Sequence, residues 1–192
     1  MIYKLEHDYE NTYSLLIDPV EMVNKMPNYR PRQKAKSVAH EWIAPEASFF
    51  KSENFSGNGE TIPDVTTWKL GYLVLNHKAY EKLNVCLSPS GEFLPITVDG
   101  NVFYLFNPLY IIADEAIDKD FAVEIIDSGV HLGQDNVTFD ESVLKKDNVA
   151  VFKTRTDKLV FSYCTDAFKK IIGDNGFKGL VFEEVMATNL AN

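Results

Sequence analysis

The chain has 192 residues, of which 45% are hydrophobic and 24% charged, enough apolar material for one large domain and too little polar bias for global disorder. Its formal net charge of −9 argues against nucleic acid as a direct partner, because phosphate binding needs clustered Lys and Arg. Apolar runs such as Tyr72 to Leu75 and Val102 to Phe106 fall far short of the roughly 20 residues that span a bilayer, and the opening Met-Ile-Tyr-Lys-Leu-Glu-His-Asp lacks the apolar core of a secretory signal, so a cytoplasmic protein is expected.

In chain order, Met1 to Leu5 and Tyr13 to Ile17 read as short strands, and Pro19 to Met26 as a helix capped by Asp18 with Pro19 in its first turn. Four prolines (Pro27, Pro31, Pro45, Pro63) and the Ser56-Gly57-Asn58-Gly59 run then predict surface loops with brief ordered pieces, with a flexible connection near Asn54 to Glu60. The patch from Tyr29 to Lys36 is the one basic cluster, and it reads as a solvated loop before a contact site. The pattern becomes regular from Thr67. Leu73 to Leu75 reads as a strand, Asn76 as a cap, and His77 to Leu83 as an amphipathic helix.

Phe93 to Val98 and Asn101 to Phe106 flank Asp99-Gly100, a pair suited to the positive φ angles of a tight hairpin. Leu109 to Ala113 is expected to continue the sheet after the Asn107-Pro108 break. Val149 to Lys153 and Lys158 to Tyr163 predict another hairpin about Arg155-Thr156-Asp157. Thr165 caps a helix over Ala167 to Ile172, which Gly173 stops, and Leu180 to Phe182 forms a last strand. Residues Leu73 to Leu83 and Phe161 to Ile171 can be superposed as strand, cap and helix, which would put one apolar face on both helices. The expected fold is α+β, a mixed or largely antiparallel sheet with β-hairpins and a few short packed helices. One domain is expected over 1–192, loop-rich to about residue 66 and regular over about 67–185.

Chemical motifs are sparse. The chain has no glycine-rich phosphate loop followed by Lys-Ser or Lys-Thr, no GxSxG elbow and no His-Glu-x-x-His pair. Among four histidines His40 adjoins an acid, Glu41, and sequence neighbours point to different sides of a helix or strand. The two cysteines, Cys86 and Cys164, lack a CxxC partner and read as buried free thiols. No cofactor or metal is expected. The acid is unevenly placed, since Asp99 to Asp147 holds eleven carboxylates against three lysines. That stretch reads either as a solvated face or as a surface that attracts a basic protein.

Several segments resemble one bacterial family in order and spacing. They are Gly71-Tyr72-Leu73-Val74-Leu75, the hairpin from Phe93 to Phe106, Ile112-Ala113-Asp114, Ala150-Val151-Phe152-Lys153, and the closing Gly176-Phe177-Lys178-Gly179-Leu180-Val181-Phe182-Glu183-Glu184-Val185. The family is the eleventh immunity-protein family of polymorphic toxin systems, and the resemblance covers roughly residues 67 to 185. Leu75 stands where that family usually carries a serine. The resemblance implies a non-enzymatic protein that binds and neutralises a cognate toxin by occlusion. Asp114, Glu115, Asp118, Asp120 and Asp127 are then the expected partner-binding acids, with Tyr110 and Phe121 as aromatic anchors. The alternatives are an effector-loading adaptor or chaperone, or a small enzyme whose site is assembled from scattered residues.

Overall fold

The computed structural model describes residues 1–28, 35–57, 61–69, 71–120, 122–127, 129–135 and 137–185. Most of the basic patch and the end of the expected flexible connection lie outside these residues. In chain order the strands and helices are β1 (Ile2–His7), β2 (Ser14–Ile17), α1 (Pro19–Lys25), β3 (Glu46–Phe50), β4 (Val65–Trp68), β5 (Tyr72–Leu75), α2 (His77–Leu87), β6 (Gly91–Val98) and β7 (Asn101–Pro108). They continue with β8 (Ile117–Asp118), β9 (Val123–Asp127), β10 (Val130–Asp135), β11 (Thr138–Phe139), α3 (Glu141–Lys146), β12 (Val151–Phe152), β13 (Tyr163–Thr165), α4 (Asp166–Asp174) and β14 (Leu180–Val185). Among the described residues no helix is long and apolar enough to cross a membrane.

The fold is α+β and largely antiparallel. A six-stranded sheet runs β2-β3-β6-β7-β5-β4, with β3 and β6 its one parallel pair, and a four-stranded sheet runs β12-β13-β1-β14. The chain's first strand therefore sits between two of its last. Val98 pairs with Asn101 across Asp99 (φ +50°) and Gly100 (φ +76°), so the β6–β7 hairpin closes through a turn with two left-handed residues. The Asn76 side chain accepts from the Ala79 amide and starts α2, and Asp18 does the same for α1 through the Val20 amide.

All of β5 is buried because both faces of its sheet are covered. Leu73 and Leu75 join Tyr3, Leu5, Leu83, Phe106, Phe168 and Ile172 in a cluster roofed by α2 and α4. Tyr72 and Val74 point the other way, toward Ile17, Met22, Val38, Leu94, Ile96 and Leu105. A third cluster gathers Ile2, Ile112, Ile117, Val137, Leu144, Val149, Phe152 and Tyr163 beneath the acid-rich segment. Each fully buried Leu, Ile or Phe contributes about 1.5–3 kcal/mol relative to exposure.

Several expectations change, and Thr165 stands at the N-cap of α4 without a side-chain capping bond. The ladder buried on α2 is Ala79, Leu83 and Leu87, whereas α4 buries Phe168 and Ile172, one position later than the superposition implies, and Ala167 is exposed. Gly173 lies inside α4, and the helix ends at Asp174, with Asn175 as its cap ahead of Gly176 (φ +63°). After Asn107-Pro108 the chain forms only a single parallel bridge, Ile111 with Lys153.

Candidate protein-binding surface

The acid-rich segment begins on a short 3₁₀ turn, Asp114–Ala116, held down by buried Ile112, Ala116 and Ile117 while Asp114 and Glu115 stay exposed. Arg155 Nη1 lies 3.6 Å from Asp114 Oδ1, so this carboxylate already has a cation. Asp118, half-buried on β8, accepts from the Asp120 amide at 2.9 Å, and Asp120 itself is exposed. The backbone of Asp127 ends β9, and Phe121 lies outside the described residues. Tyr110 packs partly buried on the third cluster, and its hydroxyl donates to Asp147 Oδ2 at 2.7 Å. Burial, reinforced by that carboxylate, pushes its pKa up to about 12. The structure thus places Asp114, Glu115, Asp118 and Asp120 along one short stretch, and directs the Tyr110 hydroxyl back to the protein.

The sequence reading missed the β9–β10 hairpin that follows. Val123 and Ile126 are 53% and 56% exposed, a large apolar display for one short strand. Between them Glu124 accepts from His131 Nδ1 at 2.9 Å and Gln134 Nε2 at 3.3 Å, and these bonds hold its carboxyl below its usual range. The signal was present in Val-Glu-Ile-Ile-Asp followed by Ser-Gly, a β-rich run meeting a turn pair. The hairpin is fastened by β10, where the Gln134 amide donates to the Thr156 carbonyl at 2.7 Å. The contact at Gly133 (φ +139°) is so close that a Cβ would stand 2.4 Å from that same oxygen.

Thr156 belongs to a buried polar loop, 153–162, which replaces the expected tight turn. Lys153 is 1% exposed and Asp157 2%, with Thr154, Thr156 and Ser162 buried beside them. Lys153 Nζ donates to the Leu159 carbonyl at 3.1 Å, and Asp157 accepts from the amides of Val160 and Phe161, each at 3.3 Å. Burial raises the pKa of Asp157, outweighing the opposing pull of Tyr163, the Phe161 amide and Lys153. Lys158 and Leu159 take φ of +56° and +61°, which lets the chain fold back over the lysine.

The chain matches no protein-family model and no curated protein. Its resemblance to the immunity family therefore rests on the quoted residues alone. The closest approach to catalytic geometry is at His7, whose Nε2 lies 3.1 Å from Ser14 Oγ while Nδ1 bonds Thr66 Oγ1. Ser14 and Thr66 stand on β2 and β4, the two outer strands of the six-stranded sheet, so this imidazole ties its opposite edges. His7 lines clefts of about 300 and 640 Å³, and Ser14 is on the wall of neither. The pair is positioned as a structural pin. A third cleft, about 380 Å³, lies between α3 and α4 with Leu144, Val149, Phe168, Ile171 and Cys86 in its wall. Burial raises the thiol pKa of both Cys86 and Cys164, away from the reactive thiolate. Among the described residues no three His, Cys, Asp or Glu side chains are grouped to hold a metal ion.

Proposed function

We propose that this protein is a cytoplasmic toxin-binding protein that neutralises a cognate bacterial toxin by occlusion. The observation that carries the reading is the set of exposed side chains at Asp114, Glu115, Asp120, Val123, Glu124 and Ile126, where carboxylates flank two exposed β-branched side chains. Apolar groups ringed by charge suit a protein partner, since the former supply burial and the latter raise encounter rate and specificity. The resemblance of residues 67–185 to an immunity family supports the same class of partner. The toxin would carry a basic face, because the protein's formal charge is −9.

Co-expression in a sensitive host tests this directly: the protein should restore growth against its toxin at about one-to-one stoichiometry, whereas an adaptor would leave the toxin active. Charge reversal should then separate steering from folding. Asp114 is a poor choice, because a lysine there would face Arg155. Glu115→Lys with Asp120→Lys is cleaner, both side chains being exposed. Association at low salt should slow by about tenfold, and the difference should shrink as salt screens the charges. An unchanged association rate would remove the acidic stretch from the interface.

A further inference from the structure

The hairpin β9–β10 forms a two-stranded sheet, and its two outer edges are not equivalent. On β10 the Gln134 amide is taken by the Thr156 carbonyl, so that edge rests on the buried loop. Because the Gln134 amide points outward, its pairing with Glu124 is of the kind in which neither residue bonds the other. Residues along an antiparallel strand alternate in this respect, so Glu124 and Ile126 both direct their N–H and C=O outward from β9. The other end of the hairpin gives the same phase, since Asp127 and Val130 close it across two residues and are bonded to each other in a turn of that length.

Among the described residues no backbone group bonds the outer edge of β9. Strands at sheet edges are usually guarded by lysine, proline or a covering segment. The sequence of β9, Val-Glu-Ile-Ile-Asp, has neither residue. The irregularity in this hairpin falls on β10, between His131 and Gly133, which leaves β9 regular.

We infer that the outer edge of β9 is a docking site for an extended, basic segment of a partner protein, which adds to the hairpin as a third strand. Backbone groups of Glu124 and Ile126 form the new ladder. The exposed Ile126 side chain and the Glu124 carboxylate, two residues apart on one face, receive an apolar and a cationic side chain of the incoming strand. Charge disfavours a second copy of this chain as the occupant, since it would bring the same Glu124 edge and a further formal charge of −9. The identity of the natural occupant as a toxin rests on the function proposed above, while the edge itself does not.

The test uses a synthetic peptide in which lysine and valine take turns at every second position with threonine between them, so that one face carries both, the same peptide N-methylated at every second residue, and a counterpart with glutamate in place of lysine, each titrated into the full chain. The lysine peptide should protect the Glu124 and Ile126 amides from hydrogen exchange by at least about tenfold, and N-methylation or the glutamate exchange should abolish that protection. Ile126→Pro removes an outward N–H without touching the bond to β10, so it should eliminate binding, while Ile126→Ala should only weaken it. Equal binding by the N-methylated peptide, or unprotected Glu124 and Ile126 amides in the complex, would overturn strand addition. Concentration-dependent protection of these amides without peptide would overturn the basic partner and point to self-association. In the growth assay the two ideas part: full neutralisation by Ile126→Pro rejects the edge and keeps the toxin reading, whereas peptide pairing without any toxin suppression does the reverse.

Discussion

Gly133 and His7 show how single residues hold this fold in ways that composition conceals. A methyl at Gly133 would lie 2.4 Å from the Thr156 oxygen and 2.7 Å from Asp157 Cα, at a φ of +139° that other residues rarely adopt. Gly133→Ala should therefore lift the hairpin from its loop at a cost of about 1–3 kcal/mol, read as loss of exchange protection at Gln134 with β6–β7 unchanged. His7 makes a prediction about pH. Burial lowers its pKa from the ordinary 6.5, so the unfolded chain binds the proton more readily than the folded one. The stability it confers is complete above that value and is lost as pH falls below it. Melting temperature should decline on acidification through that window, and His7→Gln, which can still bond Ser14 and Thr66, should flatten the decline.

At the scale of elements, the local signals that chemistry makes strong are the ones that translate into structure. Asn76 is a case: its Oδ1 accepts from the Ala79 amide at 2.8 Å, and its Nδ2 donates to Asp64 at 2.9 Å. Asn76→Ala should lower stability by about 1–2 kcal/mol in denaturant melts, the range for a lost cap. Such caps, and the Asp99-Gly100 turn, were legible in the sequence because a few adjacent residues determine them. Strand β3 was not, since Glu46–Phe50 follows Pro45 in a loop-like stretch and is stabilised by pairing with β2 and with distant β6. The candidate surface was half legible. Clustered acids stand out in a sequence, but the placement of the Val123–Asp127 strand depends on how the edge of β10 meets the 153–162 loop, and that loop read as a turn because nothing local marks Lys153 as buried.

Across the whole molecule, that loop joins parts which are far apart in the chain. The backbone of Lys153 donates to the Tyr110 carbonyl and accepts from the Ile112 amide, fixing the start of the acid-rich segment. Ser162 Oγ donates to the Gly71 carbonyl on the six-stranded sheet, where a methyl at Gly71 would stand 2.8 Å from Lys153 Nζ and 2.6 Å from Ser162 Oγ. Thr156 carries the β9–β10 hairpin. Both sides of the proposed binding surface are thus set by one buried polar loop, in which Tyr163, the Phe161 amide and the charge of Lys153 together oppose the effect of burial on Asp157. Removing a buried lysine's charge and its bond to the Leu159 carbonyl also takes a favourable charge away from Asp157, whereas neutralising both groups removes that imbalance. Lys153→Met should accordingly destabilise the protein strongly, and Lys153→Met with Asp157→Asn should recover much of the loss. The single variant should also bind its partner more weakly although Lys153 is buried away from any contact, with faster exchange at Gln134 reporting a loosened hairpin. Glu115→Lys with Asp120→Lys should show the opposite pattern, slower association at unchanged stability. If Lys153→Met lost stability but kept both the Gln134 protection and full affinity, the loop would be a support for the core alone and the binding surface would have to be held by something else.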